Sequence, residues 1–518
     1  MFHDLTEEVL DAMSKPGFYP HKVREIRKAE THTAWVFLTG SKAYKLKKPV
    51  NFGFLDFSTL DKRKEFCEKE VKLNRLLSDL YIGVEPITRD EDGRLVISGN
   101  GEPLEYIVVM KELPQESLMS SLLKNDKIDY HTIDGLAKEI AKFHKSAETS
   151  EEITKEGSLE NVRFNWEENF QQTENVKDIT LSSERFESIR KNVFRFLENK
   201  KEDFRKREKE GFIKYCHGDL HSGNIFIYED KIHIFDRIEF NMRFACSDTA
   251  ADLAFMTMDL DFHSKRELSD FLLMRYLDIT QDYSLLKFHD FFRCYRAYVR
   301  GKVIGFQLSQ NPRDAQEIKR RASAYFDSAE LYASTLFSKP RLIVFYGLPG
   351  TGKTYLASRT RDWTNAIHIR ADVVRRVIAG VSLDEHHYAG FGSDLYSAEI
   401  SKRVYDYLAR QVKLYLSQGQ SLIIDATCHK EKNRLELKKA ADELGVESFF
   451  IRTDAAPEKV REWIEKRKTS DLLSDATWEI YSEMKNKFEP EGSFPYSTIV
   501  TGRAPQEMDS DIKKMIGS

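Results

Sequence analysis

Two short stretches hold most of the residues able to do chemistry. In Tyr215-Cys-His-Gly-Asp-Leu-His-Ser-Gly-Asn-Ile-Phe-Ile227 the carboxylate of Asp219 stands five residues before the amide of Asn224, with apolar strand residues on either side. That spacing, H-x-D-x-x-x-x-N, suits phosphoryl transfer: Asp219 orients an acceptor hydroxyl and takes its proton, and Asn224 binds a metal. Asp236, closing the next strand, is the second metal ligand. The other stretch, Gly347-Leu-Pro-Gly-Thr-Gly-Lys353-Thr354, fits G-x-x-x-x-G-K-[ST] between a strand and a helix. Backbone N–H groups around Gly347, Gly350, Thr351 and Gly352 form an anion nest, Lys353 reaches the terminal phosphates of a nucleoside triphosphate, and Thr354 holds Mg²⁺.

Each stretch needs partners from elsewhere in the chain. Ala43-Tyr44-Lys45 has the form of the kinase V-A-I-K strand, which makes Lys45 a phosphate ligand. On a helix from Leu60 to Leu77, Glu70 is the one carboxylate on the face of Cys67, Leu73 and Leu77, and is therefore the partner of Lys45. In the C-terminal part, Asp372 and Arg375 follow a strand with D-x-x-R spacing: Asp372 as proton acceptor, Arg375 as substrate ligand. The plainer alternative for Asp372 is a helix cap. Asp425 closes Leu-Ile-Ile-Asp as a candidate magnesium ligand or a buried structural acid, and Arg461 and Arg467 lie on a charged helix as lid residues or a solvated face. His217 and His221 read as loop-orienting, and Asp248 and Asp252 as helix caps or braces.

These residues must be placed by at least two domains, because 518 residues exceed a single core. Strands at 35–39, 43–47 and 105–110 with one helix make a small lobe over about residues 1–112, and a mainly helical run makes a larger lobe over about 113–337. Ser338-Lys339-Pro340 stops a helix over 313–336 and marks the boundary. Residues 340–518 then alternate short apolar strands (341–346, 366–369, 421–425, 447–451, 497–500) with helices, the pattern of a parallel sheet covered on both faces. The expected fold class is thus α+β followed by α/β.

Composition narrows the class. With 41% apolar and 32% charged residues and a net charge of −4, the chain has neither a disordered nor a membrane-spanning composition, and no bulk basic field for nucleic acid. Basic clusters at 200–209 and 430–439 alternate with acids, as solvated helix faces do. Five scattered cysteines without a C-x-x-C pair point to a reducing compartment, and the start of the chain lacks a signal pattern, so the expected location is cytoplasmic.

Taken together, Lys45, Glu70, Asp219, Asn224 and Asp236 resemble the aminoglycoside phosphotransferases and related small-molecule kinases of the protein-kinase-like fold, over about residues 1–337. No G-x-G-x-x-G loop precedes Lys45, and Asp-Arg-Ile stands where that fold often has Asp-Phe-Gly. The P-loop, D-x-x-R, Asp425-Ala-Thr427 and Arg434 resemble the polynucleotide kinase, zeta toxin and gluconate kinase group, from about Pro340 onward. The whole chain resembles a bacterial family that fuses these two kinds of domain. The resemblance implies a bilobal kinase-like domain followed by a P-loop domain, each transferring the γ-phosphoryl group of ATP with Mg²⁺ to a hydroxyl acceptor. A small molecule is the favoured acceptor. Two alternatives are one active half regulated by a nucleotide-binding other half, and a nucleic-acid end-processing kinase.

Overall fold

The computed structural model describes residues 2–53, 55–174, 177–310, 312–383, 394–467, 477–492 and 494–517, without the side chains of 2–4, 309, 310, 394 and 467. By compactness the chain divides into two units: residues 1–128, 139–165 and 200–259 form the first, and 129–138, 166–199 and 260–518 the second.

The first unit is built on a six-stranded antiparallel sheet of β1 (Arg27–Glu30), β2 (Ala34–Leu38), β3 (Lys42–Lys47), β4 (Tyr81–Arg89), β5 (Leu95–Ile97) and β6 (Glu105–Lys111), in the order β1-β2-β3-β6-β4-β5. Strand alternation sorts β3. Tyr44 and Leu46 enter a core with Val9, Met13, Phe37 and Ile107, which leaves Lys45 and Lys47 on the opposite face, toward the helix Leu60–Asn74. That helix is capped by Thr59, whose side chain accepts from Lys62 N. It stops three residues short of the expected Leu77: the backbone N–H groups of Leu77 and Ser78 fold back onto Asn74 O, and the Asn74 side chain turns away to bond Arg237 N.

Also in this unit, β7 (Ile213–Tyr215) runs into the loop bearing Asp219. β8 (Ile225–Tyr228) and β9 (Lys231–Ile234) form the hairpin after it, and β10 (Cys246–Asp248) pairs with β7. The helix Thr249–Phe262 starts directly behind the loop.

The second unit contains a parallel sheet of β11 (Leu342–Tyr346), β12 (Ile367–Arg370), β13 (Leu422–Asp425), β14 (Ser448–Asp454) and β15 (Ser497–Val500), ordered β12-β13-β11-β14-β15. β11, β12 and β13 are buried along their whole length, as a sheet covered by helices on both faces requires. On one face Ile343 and Phe345 pack against Leu356 and Ala357 of the helix Lys353–Thr364 and Met508 and Ile512 of Pro505–Ile516. Register aligns Phe345 and Arg370 with Asp425, so the P-loop and the ends of β12 and β13 meet at the carboxyl edge, where β-strand order reverses. The α+β and α/β classes expected from the sequence are both present.

Within the second unit, the helices Arg266–Thr280 and Leu286–Phe306 are joined to the P-loop helix by buried ions. Arg361 is 2% exposed and bonds Asp270 at 2.5 and 2.8 Å and Asp261 at 3.2 Å; Arg293 bonds Asp261 at 2.9 Å and Asn365 at 3.1 Å. Among the described residues, no helix is long and apolar enough to cross a membrane.

Candidate active sites

In the first unit, the face of β3 and the loop after β7 converge. Lys45 Nζ lies 2.9 Å from Glu70 Oε1 and 2.5 Å from Asp236 Oδ1. Glu70 is completely buried; burial alone would raise its carboxyl, but the charges of Lys45 and Lys47 outweigh that and hold it below the usual carboxylate range. Asn224 Nδ2 donates to Asp219 O and Asp219 Oδ2, both at 3.0 Å, leaving the amide carbonyl for another partner. Asp236 adopts φ 62° and its backbone N–H donates to the Tyr81 hydroxyl at 3.1 Å, a left-handed turn that aims the carboxylate back at Lys45.

The loop itself is held from behind. Asp252 accepts from the backbone N–H groups of His217 and Gly218, each at 3.0 Å, and Asp259 accepts from Ser222 N at 2.9 Å. His217 Nδ1 accepts from Asp219 N, and burial pushes its ring below its ordinary pKa, which keeps it neutral. His221 accepts from Gly223 N and lies 3.4 Å from Asp219 Oδ2. Both histidines thus shape the loop, as does Asp252, while Asp248 pairs with buried Arg207 and caps Ala250.

In the second unit, Gly347, Gly350 and Gly352 take φ of 141°, 79° and 91°, the last capping the helix that begins at Lys353. The space is closed as well: a Cβ on Gly347 would stand 2.6 Å from the backbone oxygen of Thr453. Thr351 is buried and bonds Leu348 O and Thr453 Oγ1. Lys353 Nζ donates to Leu348 O at 2.9 Å, and Thr354 Oγ1 donates to Asp425 Oδ2 at 2.6 Å. A hydroxyl beside a carboxylate is an oxygen-rich set suited to Mg²⁺. Burial would raise Asp425, but His368, Lys353 and Arg370 together hold it at about 2, ionised at neutral pH. Asp372 goes the other way: burial and the neighbouring Asp425 charge raise it, with Arg370, Arg375 and Lys353 opposing.

Asp372 and Arg375 line a cavity of about 580 Å³ together with Ser401, Lys402, Thr427 and Lys430. Arg375 is 7% exposed; its Nη1 bonds Leu395 O and Ser401 Oγ, its guanidinium lies 4.8 Å from the Tyr396 ring centre, and its Nε finds no partner among the described residues. A second cavity of about 510 Å³ opens beside the P-loop, lined by Gly352, Tyr355, Trp463, Thr501 and Arg503, with aromatic faces against which a nucleobase could stack. Arg461 is exposed and its guanidinium lies over Trp478; the side chain of Arg467 lies outside the described residues.

Sequence reasoning passed over Lys47 and Glu239, the Asp259 contact, the Trp463 cavity and Glu267, which bonds Ser358 and Arg370. For Lys47 a signal existed in K-x-K, two residues along one strand face; for the others only the fold supplies it. The basic clusters are largely paired with acids of their own helices, as in Arg205–Glu202, Lys206–Glu210, Lys432–Glu436 and Lys438–Asp442.

The family model for an AAA domain matches residues 342–491. The Mycobacterium tuberculosis protein Rv2004c is 30% identical over 453 residues, covering 87% of this chain and 88% of its own length, and its Mycobacterium bovis counterpart gives the same figures. Among solved structures, a choline/ethanolamine kinase family protein from Mesorhizobium loti is similar over 64% of this chain and 99% of its own (11% identity, TM-score 0.38). A gluconokinase from Sinorhizobium meliloti covers 34% of this chain and 92% of its own (14% identity, TM-score 0.26).

Proposed function

This chain belongs to the same family as the mycobacterial proteins, and from the two sites it carries we propose a bifunctional phosphotransferase. The halves of that reading are residues 1–337 and 340–518, each moving the γ-phosphoryl group of ATP to a hydroxyl acceptor in the cytoplasm. ATP with Mg²⁺ supplies the phosphoryl group and the charge that balances it.

In the first half Asp219, fixed by Asn224 and the neutral His217, accepts the acceptor's proton, Lys45 takes the phosphates, and Asn224 and Asp236 hold the metal. In the second, the P-loop amides and Lys353 bind phosphate, Thr354 and Asp425 hold the metal, and Asp372 accepts the proton. Its raised pKa makes Asp372 a better base than an exposed aspartate. The observation carrying the reading is that each unit gathers a lysine, side-chain oxygens that could hold a metal and a further carboxylate from separate parts of the chain.

The acceptor at the second site is a small hydroxylated molecule carrying a carboxylate or phosphate. Support comes from the buried Arg375, which bonds Leu395 O and Ser401 Oγ beside the cavity, and from Lys402 and Lys430 in its lining.

The test is transfer of label from γ-labelled ATP into a metabolite extract by wild type, Asp219→Ala and Lys353→Ala. Loss of one labelled product in the first variant and of a different one in the second is the expected result. Identical labelling in all three proteins would remove the site assignments.

A further inference from the structure

Beside the expected Lys45–Glu70 pair, β3 carries a second lysine for which the phosphotransfer reading has no task. Lys47 Nζ lies 2.6 Å from Glu70 Oε2 and 2.5 Å from Glu239 Oε1, and 4.8 Å from the centre of the Phe57 ring. Lys47, Glu70 and Glu239 are 2%, 0% and 4% exposed. Burial would lower the Lys47 ammonium, yet Glu239 and Glu70 more than reverse that and keep it charged; burial raises Glu239, and Lys47 opposes the rise. The group is a ladder with two rungs, Lys45 to Asp236 and Lys47 to Glu239, with Glu70 joining the two lysines through its separate oxygens.

The rungs differ in what they can do next. Lys45 and Asp236 have side chains 13% and 42% exposed, and nucleotide binding as read above asks both to turn to new partners, so their 2.5 Å bond must open. Lys47 and Glu239 have no such outlet, because both charges are enclosed and separation would take from Glu239 the ammonium it faces and leave Lys47 with Glu70. Once the first rung opens, the second is the ionic tie left between β3 and the segment Asp236–Glu239 among the described residues.

We propose that Lys47 and Glu239 are positioning residues whose ion pair holds Glu70 and the Asp236–Glu239 segment against β3, so that Lys45 and Asp236 stay in register while they exchange each other for phosphate and metal. This inference rests on the reading of the first site as a nucleotide site. Loss of the rung lets Asp236 drift from Lys45, and a metal-bridged nucleotide, which needs both at once, suffers more than a metal-free one.

The experiment uses the full chain with Lys353→Ala, so that nucleotide binding reports the first site. Affinity for ATP is measured with and without Mg²⁺, and amide hydrogen exchange of residues 42–47 and 236–239 is measured without nucleotide. Glu239→Gln, which keeps the side-chain shape, is expected to weaken MgATP at least tenfold, metal-free ATP less, and to speed exchange in both segments; Lys47→Met behaves alike and Lys47→Arg recovers most of the loss. Equal MgATP affinity and unchanged exchange in Glu239→Gln overturn the inference while leaving the nucleotide reading intact. If the Lys353→Ala parent binds no ATP, the nucleotide reading fails and the inference, which needs it, fails with it. Should Glu239→Gln not fold, Glu239→Asp, one methylene shorter, serves for the same comparison.

Discussion

Replacing Gly347 by alanine tests the P-loop geometry most directly. Its φ of 141° belongs to a region that side chains avoid, at a cost of about 1–3 kcal/mol. The added Cβ would also stand 2.6 Å from the Thr453 backbone oxygen and 3.0 Å from Thr453 Oγ1. The oxygen belongs to β14, hydrogen-bonded to both β11 and β15, so it cannot swing aside as a flexible side chain would; relief by backbone shift adds about 1–3 kcal/mol. The sum, about 2–6 kcal/mol, falls either on folding or on nucleotide affinity, where each 1.4 kcal/mol is about tenfold. Gly419→Ala supplies the control. Its φ is 85°, but a Cβ there meets nothing within 4 Å, so it carries backbone strain alone, about 1 kcal/mol, and leaves nucleotide binding untouched. Urea unfolding and titration with a fluorescent ATP analogue, both in a Lys45→Ala background, read the two costs. If Gly347→Ala matched Gly419→Ala in both measurements, the claim that the loop's shape depends on that glycine would be wrong.

Two further outcomes follow from single residues. Burial would raise the Asp261 carboxyl, but Arg361 and Arg293 hold it at about 2 against an ordinary 3.8, a difference of about 2 kcal/mol in favour of the fold. A depressed carboxyl contributes fully above its unfolded pKa and loses that contribution as pH falls toward 2, so the urea-midpoint gap between wild type and Asp261→Asn should be wide at pH 7, roughly halved by about pH 3 and narrow by about pH 2; a constant gap would refute the ion-pair account. Arg375→Lys keeps the charge but loses the planar fork that can hold a carboxylate or phosphate with two donors. Transfer to anionic acceptors should fall about ten- to a hundredfold through KM, with ATP affinity unchanged, and an equal loss with neutral acceptors would count against the anionic assignment.

How much of this was legible in the sequence depended on distance along the chain. The catalytic-type loop, the P-loop and the D-x-x-R segment are local, because their function requires fixed spacing between neighbours, and strand alternation with apolar periodicity was enough to assign the elements carrying them. Glu70 was readable for a related reason: a charged residue on a helix face otherwise made of Cys67 and Leu73 must have a partner. The end of that helix was not readable, since Asn74 stops it in the course of binding Arg237, 163 positions away.

The sequence alone determined the two kinds of fold, their order and the residue types available at each site. Only the tertiary structure decided that Lys45 meets Asp236 and Lys47 meets Glu239, across separations of 191 and 192 residues, and that Asp252 and Asp259 rather than a cap residue hold the loop. The physical reason is that burying a charge is tolerable only beside its counter-charge. Local pattern shows which charges will be buried, but which distant group answers each of them is fixed when helices and sheets pack.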